Sequence, residues 1–166
     1  SSPVKLGSTI EYTEQNWRLD AAALQPFALS FGRFDITDDG NSFTDGDFYY
    51  LITVTDGQGK TLKDGEGNDA IIELPREEAQ EVGSGGQVPI SRQFYGITVR
   101  KKEGESFTVR AKLMDKYSFT DDVIAGEQGL IFKYPWSTLS QDWQSMALVP
   151  SEGSYKTGLV FRIEKK

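Results

Sequence analysis

Two short stretches of the chain concentrate carboxylates. The first is Asp35 to Asp47 (DITDDGNSFTDGD) and the second is Asp115 to Asp122 (DKYSFTDD). Clustered carboxylates repel one another, and a bound divalent cation relieves that repulsion. Short Asp side chains suit loops that close around an ion, and Gly40 and Gly46 permit the bends. The chain contains no histidine and no cysteine, so imidazole and thiolate ligands are absent. An oxygen-only set selects calcium or magnesium over zinc or copper. The first stretch is not an EF-hand loop, because Asp35 and Asp39 fall at the wrong intervals and Gly40 is not followed by the required Glu. Asp, Asn, Gly and Ser also build ordinary turns, so the metal reading and the plain-turn reading stand side by side. The turn from Asp64 to Asp69 is read as a hairpin loop.

The same composition narrows the chemistry. Without histidine there is no Ser-His or Cys-His dyad and no imidazole base. Acidic residues are numerous, yet no pair stands in a glycosidase-type cleft motif, and the chain reads as non-enzymatic. A net charge of −7 gains nothing from a phosphate backbone, which argues against nucleic acid. Apolar runs such as Ala70 to Ile72 and Gly158 to Phe161 are far too short to span a bilayer. No charged segment followed by an apolar one succeeds Ser1, so no signal peptide is expected. That leaves a cytoplasmic protein or one whose export signal has been removed. The absence of cysteine, the acidity and the Asp-Gly turns favour an extracytoplasmic bacterial setting, and a monomer is expected.

The elements that must position the acidic loops are strands. Phe27 to Ile36 alternates at period two, Asp47 to Asp56 (DFYYLITVTD) is aromatic and β-branched, and Ala70 to Leu74 is a short strand. Pro75 followed by Arg76, Glu77 and Glu78 predicts one short helix or helical turn up to Gln80. Gly83 to Gly86 reads as flexible loop. Phe94 to Arg100, Phe107 to Met114, Leu130 to Phe132 and Gly158 to Ile163 supply further strands, with Phe107, Val109, Ala111 and Leu113 on one face. About eight strands at this spacing predict an all-β antiparallel sandwich of 166 residues without an internal linker. Residues 27–166 form that sandwich. Residues 1–26 form an arm, with Ile10, Tyr12, Trp17 and Leu19 packed on it.

In order along the chain, several segments resemble a C2 domain. Phe27 to Ile36 is similar to the family's early core strand. Asp47 to Ile52 is similar to its Asp-Pro-Tyr strand motif, with Phe48 in place of the Pro. Phe94 to Met114 and Asp115 to Glu127 are similar to its paired strands and last calcium loop. Asp142-Trp143-Gln144 and Gly158 to Ile163 are similar to its closing Trp motif and last strand. The resemblance covers about residues 27–164. It departs where Tyr117 stands for the loop's second Asp, where Ala125 adds a residue before Gly126, and where Leu74 to Ile90 carries no Asp. The resemblance implies an eight-stranded β-sandwich that binds calcium and a membrane surface or a protein partner. It implies Asp47, Asp115 and Asp122 as ligands, with Asp39, Asp45 and Asp121 as neighbours able to supply further oxygens.

Phe43 and Phe119 lie among these acids and are candidate contact residues, outward-pointing beside a neutralised cluster or folded back onto the sandwich. Arg92, Arg100, Lys101, Lys102, Arg110 and Lys112 read as a solvated sheet face, or alternatively as an anion or headgroup surface. Trp136 and Trp143, near Tyr134 and Pro135, read as a plug for an open end of the sandwich, or alternatively as a carbohydrate-stacking platform. A metal-independent structural or adhesive sandwich and a carbohydrate-binding module are therefore the rival functions.

Overall fold

A computed structural model describes residues 5–6, 9–10, 23–40, 44–117, 121–151 and 153–166, of which 5–6, 9–10 and 125–127 are described in backbone only. Strand β1 (Lys5–Leu6) pairs with β2 (Thr9–Ile10). Tyr12, Trp17 and Leu19 lie outside the described residues. The sandwich consists of β3 (Leu24–Asp38), β4 (Gly46–Asp56), β5 (Ile71–Leu74), β6 (Gln80–Val82), β7 (Gly86–Arg100), β8 (Ser106–Asp115), β9 (Asp122–Lys133), β10 (Gln144–Leu148) and β11 (Lys156–Lys165).

One sheet has the order β10-β11-β3-β7. The other has β5-β4-β8-β9, with β6 also paired to β4. Their pairings are antiparallel. Because β5 and β6 pair with successive parts of β4, they act as two halves of one edge strand. Counted so, the sandwich has four strands in each sheet and eight in all, as the sequence predicts.

Alternation sets the core. Phe48, Tyr50, Ile52 and Val54 of β4 and Phe107, Val109, Ala111 and Leu113 of β8 are buried. They face Phe27, Leu29 and Phe31 of β3 and Leu159, Phe161 and Ile163 of β11. Period two does not run through β3 unbroken, however. Its inward residues switch from Phe27, Leu29 and Phe31 to Phe34 and Ile36. A register shift between Phe31 and Arg33 accounts for the switch, since the extra residue, Gly32, changes the phase of the strand.

The expected helical turn is a single 3₁₀ turn, Arg76–Glu78, that follows Pro75 and stops before Gln80 to Val82 pairs with β4. Other elements differ from the sequence expectation. Strand β7 begins at Gly86 and β9 at Asp122, so the last residue of the expected glycine loop and the exit of the second acidic loop belong to strands. Strand β10 was not expected at all; Met146 and Leu148 are its buried positions.

The two ends of the sandwich are separated by the length of β8, where the eight residue steps from Phe107 to Asp115 span about 26 Å at ~3.3 Å each. At the Phe107 end, Trp136 packs on Phe27 and Phe107 with ring centroids 5.1 and 5.7 Å away, and Tyr134 meets it edge-on. The β4–β5 connection uses one turn design twice. Asp56 Oδ1 accepts from the backbone N–H groups of Gln58 and Lys60, and Asp64 Oδ1 from those of Glu66 and Asn68. Gly59 and Gly67 hold matching positive φ of 80° and 84°, which only glycine adopts without strain.

Candidate functional site at the acidic loop end

The register brings four connections to the other end. Ile36 lies opposite Gly86, Asp38 opposite Lys156, Gly46 opposite Val82, and Asp115 opposite both Phe48 and Asp122. The β3–β4, β6–β7, β8–β9 and β10–β11 connections therefore emerge together. Asp47 and Asp115 are in direct contact there: the Asp47 backbone N–H donates to Asp115 Oδ1 at 2.8 Å, and the Lys116 N–H donates back to the Asp47 carbonyl at 2.8 Å.

Asp115 is buried, with only 1% of its surface exposed. Its second oxygen is met by Tyr155, whose hydroxyl stands 2.9 Å from Asp115 Oδ2 and 2.8 Å from Asp122 Oδ2. A phenol carries one proton, so it cannot donate fully to both carboxylates. Burial pushes the Asp115 carboxyl above its ordinary value, against the opposing pull of the Asp47 N–H and the Tyr155 hydroxyl. Burial, followed by its hydrogen bonds to Tyr117 and to these acids, pushes Tyr155 up as well.

Asp121 has a different environment. Arg76 grips it with two bonds, Nε to Oδ2 at 2.7 Å and Nη2 to Oδ1 at 3.0 Å. The same Nη2 reaches the Tyr117 carbonyl at 2.8 Å, and the Tyr117 N–H donates to Asp121 Oδ1 at 3.1 Å. From β4, the Tyr49 hydroxyl donates to Asp121 Oδ2 at 2.5 Å. The Arg76 guanidinium and then the Tyr49 hydroxyl hold the Asp121 carboxyl well below the usual carboxylate range. Burial and the bond to Asp121 push the Tyr49 phenol up to about 12.

Asp39 is buried and turned toward the β6–β7 connection, where its N–H donates to Ser84 Oγ and the Ser84 hydroxyl donates to its Oδ1, both at 3.0 Å. Asp45 is exposed and lies over Gly83, at which an added Cβ would stand 2.5 Å from Asp45 Oδ1. Between the loops is a cleft of about 390 Å³ lined by Asp45, Asp47, Arg76, Asp115, Lys116 and Tyr117.

All six acids named from the sequence thus stand on connections or strand ends at one end of the sandwich, but they do not converge on one point. Among the described residues no group of three or more acidic side chains is placed to hold a metal ion. Calcium takes about six to eight oxygen ligands. As placed, the acids do not fit it: both Asp121 oxygens are on Arg76, and both Asp115 oxygens are on the Asp47 N–H and Tyr155. Phe43 and Phe119 lie outside the described residues. Arg76, Tyr49 and Tyr155 are the site residues that sequence reasoning missed. The Arg76-Glu77-Glu78 run reads as a helix start, and no spacing links it to Asp121, 45 positions away.

Two other sequence groupings come apart. Arg92 and Arg100 are on β7 and Arg110 and Lys112 on β8, so the basic residues divide between the two sheets. Trp136 is buried, as a plug requires, whereas Trp143 is 52% exposed on the other sheet face, its ring over Gly32.

No family model matches the sequence, and no curated protein matches it. Among solved structures, the chain is similar to a human GIVD cytosolic phospholipase A2 in complex with a fluorophosphonate inhibitor and terbium chloride. The TM-score is 0.45 at 8% identity, over 87% of this chain and 18% of that one. It is similar to a C2 domain, with a TM-score of 0.37 at 12% identity over 84% of this chain and 98% of that one. It is also similar to a Drosophila C2-DSL-EGF1 structure, with a TM-score of 0.34 at 17% identity over 84% of this chain and 67% of that one.

Proposed function

We propose that this chain is a non-catalytic, C2-like interaction module that docks a membrane surface or a protein partner through its acidic loop end. The observation that carries the reading is the emergence of four connections at one end of the sandwich: Tyr155 ties β10–β11 to Asp115 and Asp122, Ser84 ties β6–β7 to Asp39, and Arg76 holds Asp121. Such a scaffold presents a fixed surface around the 390 Å³ cleft. An extracytoplasmic setting and a monomeric state belong to this reading.

The test is flotation with vesicles of phosphatidylcholine and phosphatidylserine, and photocrosslinking from position 116, on the rim of the cleft. A membrane-docking module floats, and the Asp45→Lys/Asp47→Lys variant changes its flotation. A protein-docking module crosslinks from position 116 and not from position 102 at the other end. Neither flotation nor a crosslink from position 116 overturns the proposal.

Calcium loading is a second reading, favoured by the placement of Asp45, Asp47 and Asp122 at the same end as Asp115. It requires Arg76 to release Asp121. Calorimetry with calcium chloride decides it through the number of ions bound per chain, and an ion that binds only the folded form also raises Tm. Equal melting curves in millimolar calcium and in chelator exclude it.

A further inference from the structure

The bonds at Arg76 form a pattern that goes beyond a single ion pair. Its guanidinium takes both oxygens of Asp121 and also the carbonyl of Tyr117, so one side chain bonds two residues of the β8–β9 connection. Asp121 also accepts the Tyr117 N–H, and Tyr49 anchors it to β4. Arg76 is itself fixed at its base: Pro75 sets the chain at φ −71° and the 3₁₀ turn begins immediately after it. A planar guanidinium with permanent charge matches a carboxylate fork, which the point charge of a lysine does not. The Asp121 side chain is 15% exposed and that of Arg76 45%, so the pair faces solvent on the guanidinium side. Asp45, Asp47 and Asp122 stand at the same end of the sandwich, and like charges there repel.

We propose that Arg76 is a built-in counter-ion for the β8–β9 connection, holding the acidic loop end in shape without a divalent cation. Arg76 delivers to Asp121 and Tyr117 the charge neutralisation and oxygen cross-linking that an ion would otherwise deliver. The inference rests on the bonds of Arg76 and not on the docking reading. A module that binds no vesicle and no partner still shows it, and a docking module whose loop end needs calcium does not.

Hydrogen exchange of the amides from 115 to 122 tests it, measured in chelator and in millimolar calcium, with the β3–β7 amides as an internal check of folding. The wild-type Lys116 and Tyr117 amides, bonded to Asp47 and Asp121, are expected to exchange equally slowly in both conditions. Arg76→Gln is expected to speed their exchange several-fold while the β3–β7 amides stay protected, and Arg76→Lys to recover part of the loss. Asp121→Asn added to Arg76→Gln is expected to bring no further loss, because the two residues act as one unit. Calcium-dependent protection in the wild type overturns the proposal. So does unchanged exchange in Arg76→Gln, or additive losses in the double variant.

Discussion

At one end of the sandwich, Trp136 lies on Phe27 and Phe107, with Phe132 stacked on Phe107 at 5.2 Å. At the other, Asp115, Tyr155, Asp122, Asp121 and Arg76 fill the corresponding place. Both ends must stop water from entering between two sheets. The first does so by dispersion and burial of rings, whose strength does not follow the protonation of any group. The second does so with hydrogen bonds and charge, whose strength follows the protonation of each group. The aromatic end therefore acts as the fixed base of the molecule, and the acidic end as the part whose shape answers to its surroundings.

The largest expected effect falls at the base. Trp136→Ala removes a ring buried to 5% exposure, and such truncations cost about 3–5 kcal/mol. Urea unfolding checks this, and the loss is expected to be the same at mildly acid and at neutral pH. A loss that varies with pH would break the contrast between the two ends.

Next comes Tyr155→Phe, which takes the phenol proton from between Asp115 and Asp122. Leaving buried acceptors short of a donor costs about 1–3 kcal/mol. Here the pH dependence is diagnostic. Folded Asp115 keeps its proton to higher pH than the unfolded chain does, so its contribution to stability is present in acid and is lost as pH rises through its folded value. Without the Tyr155 donor the folded value climbs further. The penalty of Tyr155→Phe is therefore smallest in acid and grows as pH rises from about 4. Urea unfolding across that range measures it.

Asp121→Asn sharpens the comparison from the opposite sign. The folded carboxyl of Asp121 is depressed by Arg76 and Tyr49, so its contribution is present above the unfolded value of ~3.9 and lost as pH falls. The variant should be less stable than wild type at neutral pH, by at most about 1 kcal/mol once solvent screening is allowed for. The gap should close in acid and narrow in high salt. Thermal melts at two pH values suffice. Two acids on neighbouring strand ends thus give opposite pH slopes, because one is buried against a phenol and the other is paired with a guanidinium.

These contrasts also show what the sequence could and could not convey. Alternation in Phe107 to Leu113 and the aromatic run of Asp47 to Asp56 marked the central strands, because period two is a property of each strand alone. Strand β10 escaped notice since Gln144 to Leu148 offers only two inward residues, Met146 and Leu148. The shared end of the acidic loops was legible, because strand order places connections before it places side chains. The partners of each acid were not. Asp121 and Arg76 are 45 positions apart and Asp115 and Tyr155 are 40 apart, and nothing in their local sequence favours one pairing over another.

The smallest effect is expected at Trp143, which the sequence had grouped with Trp136. Its ring covers Gly32, where an added Cβ would stand 3.3 Å from the indole, and 52% of the residue is exposed. Surface substitutions of this kind change stability by about 0.5 kcal/mol or less. Trp143→Ala should therefore leave unfolding almost unchanged while removing the emission of one solvent-facing indole, with Trp17 and buried Trp136 staying. The same signal tests the carbohydrate reading of this residue. A stacked sugar would quench or shift the emission of the wild type and leave Trp143→Ala unaffected. A large stability loss in Trp143→Ala would place a second closing ring on the outer face of the sheet, and the division between a packed base and a responsive loop end would no longer describe how this sandwich is held together.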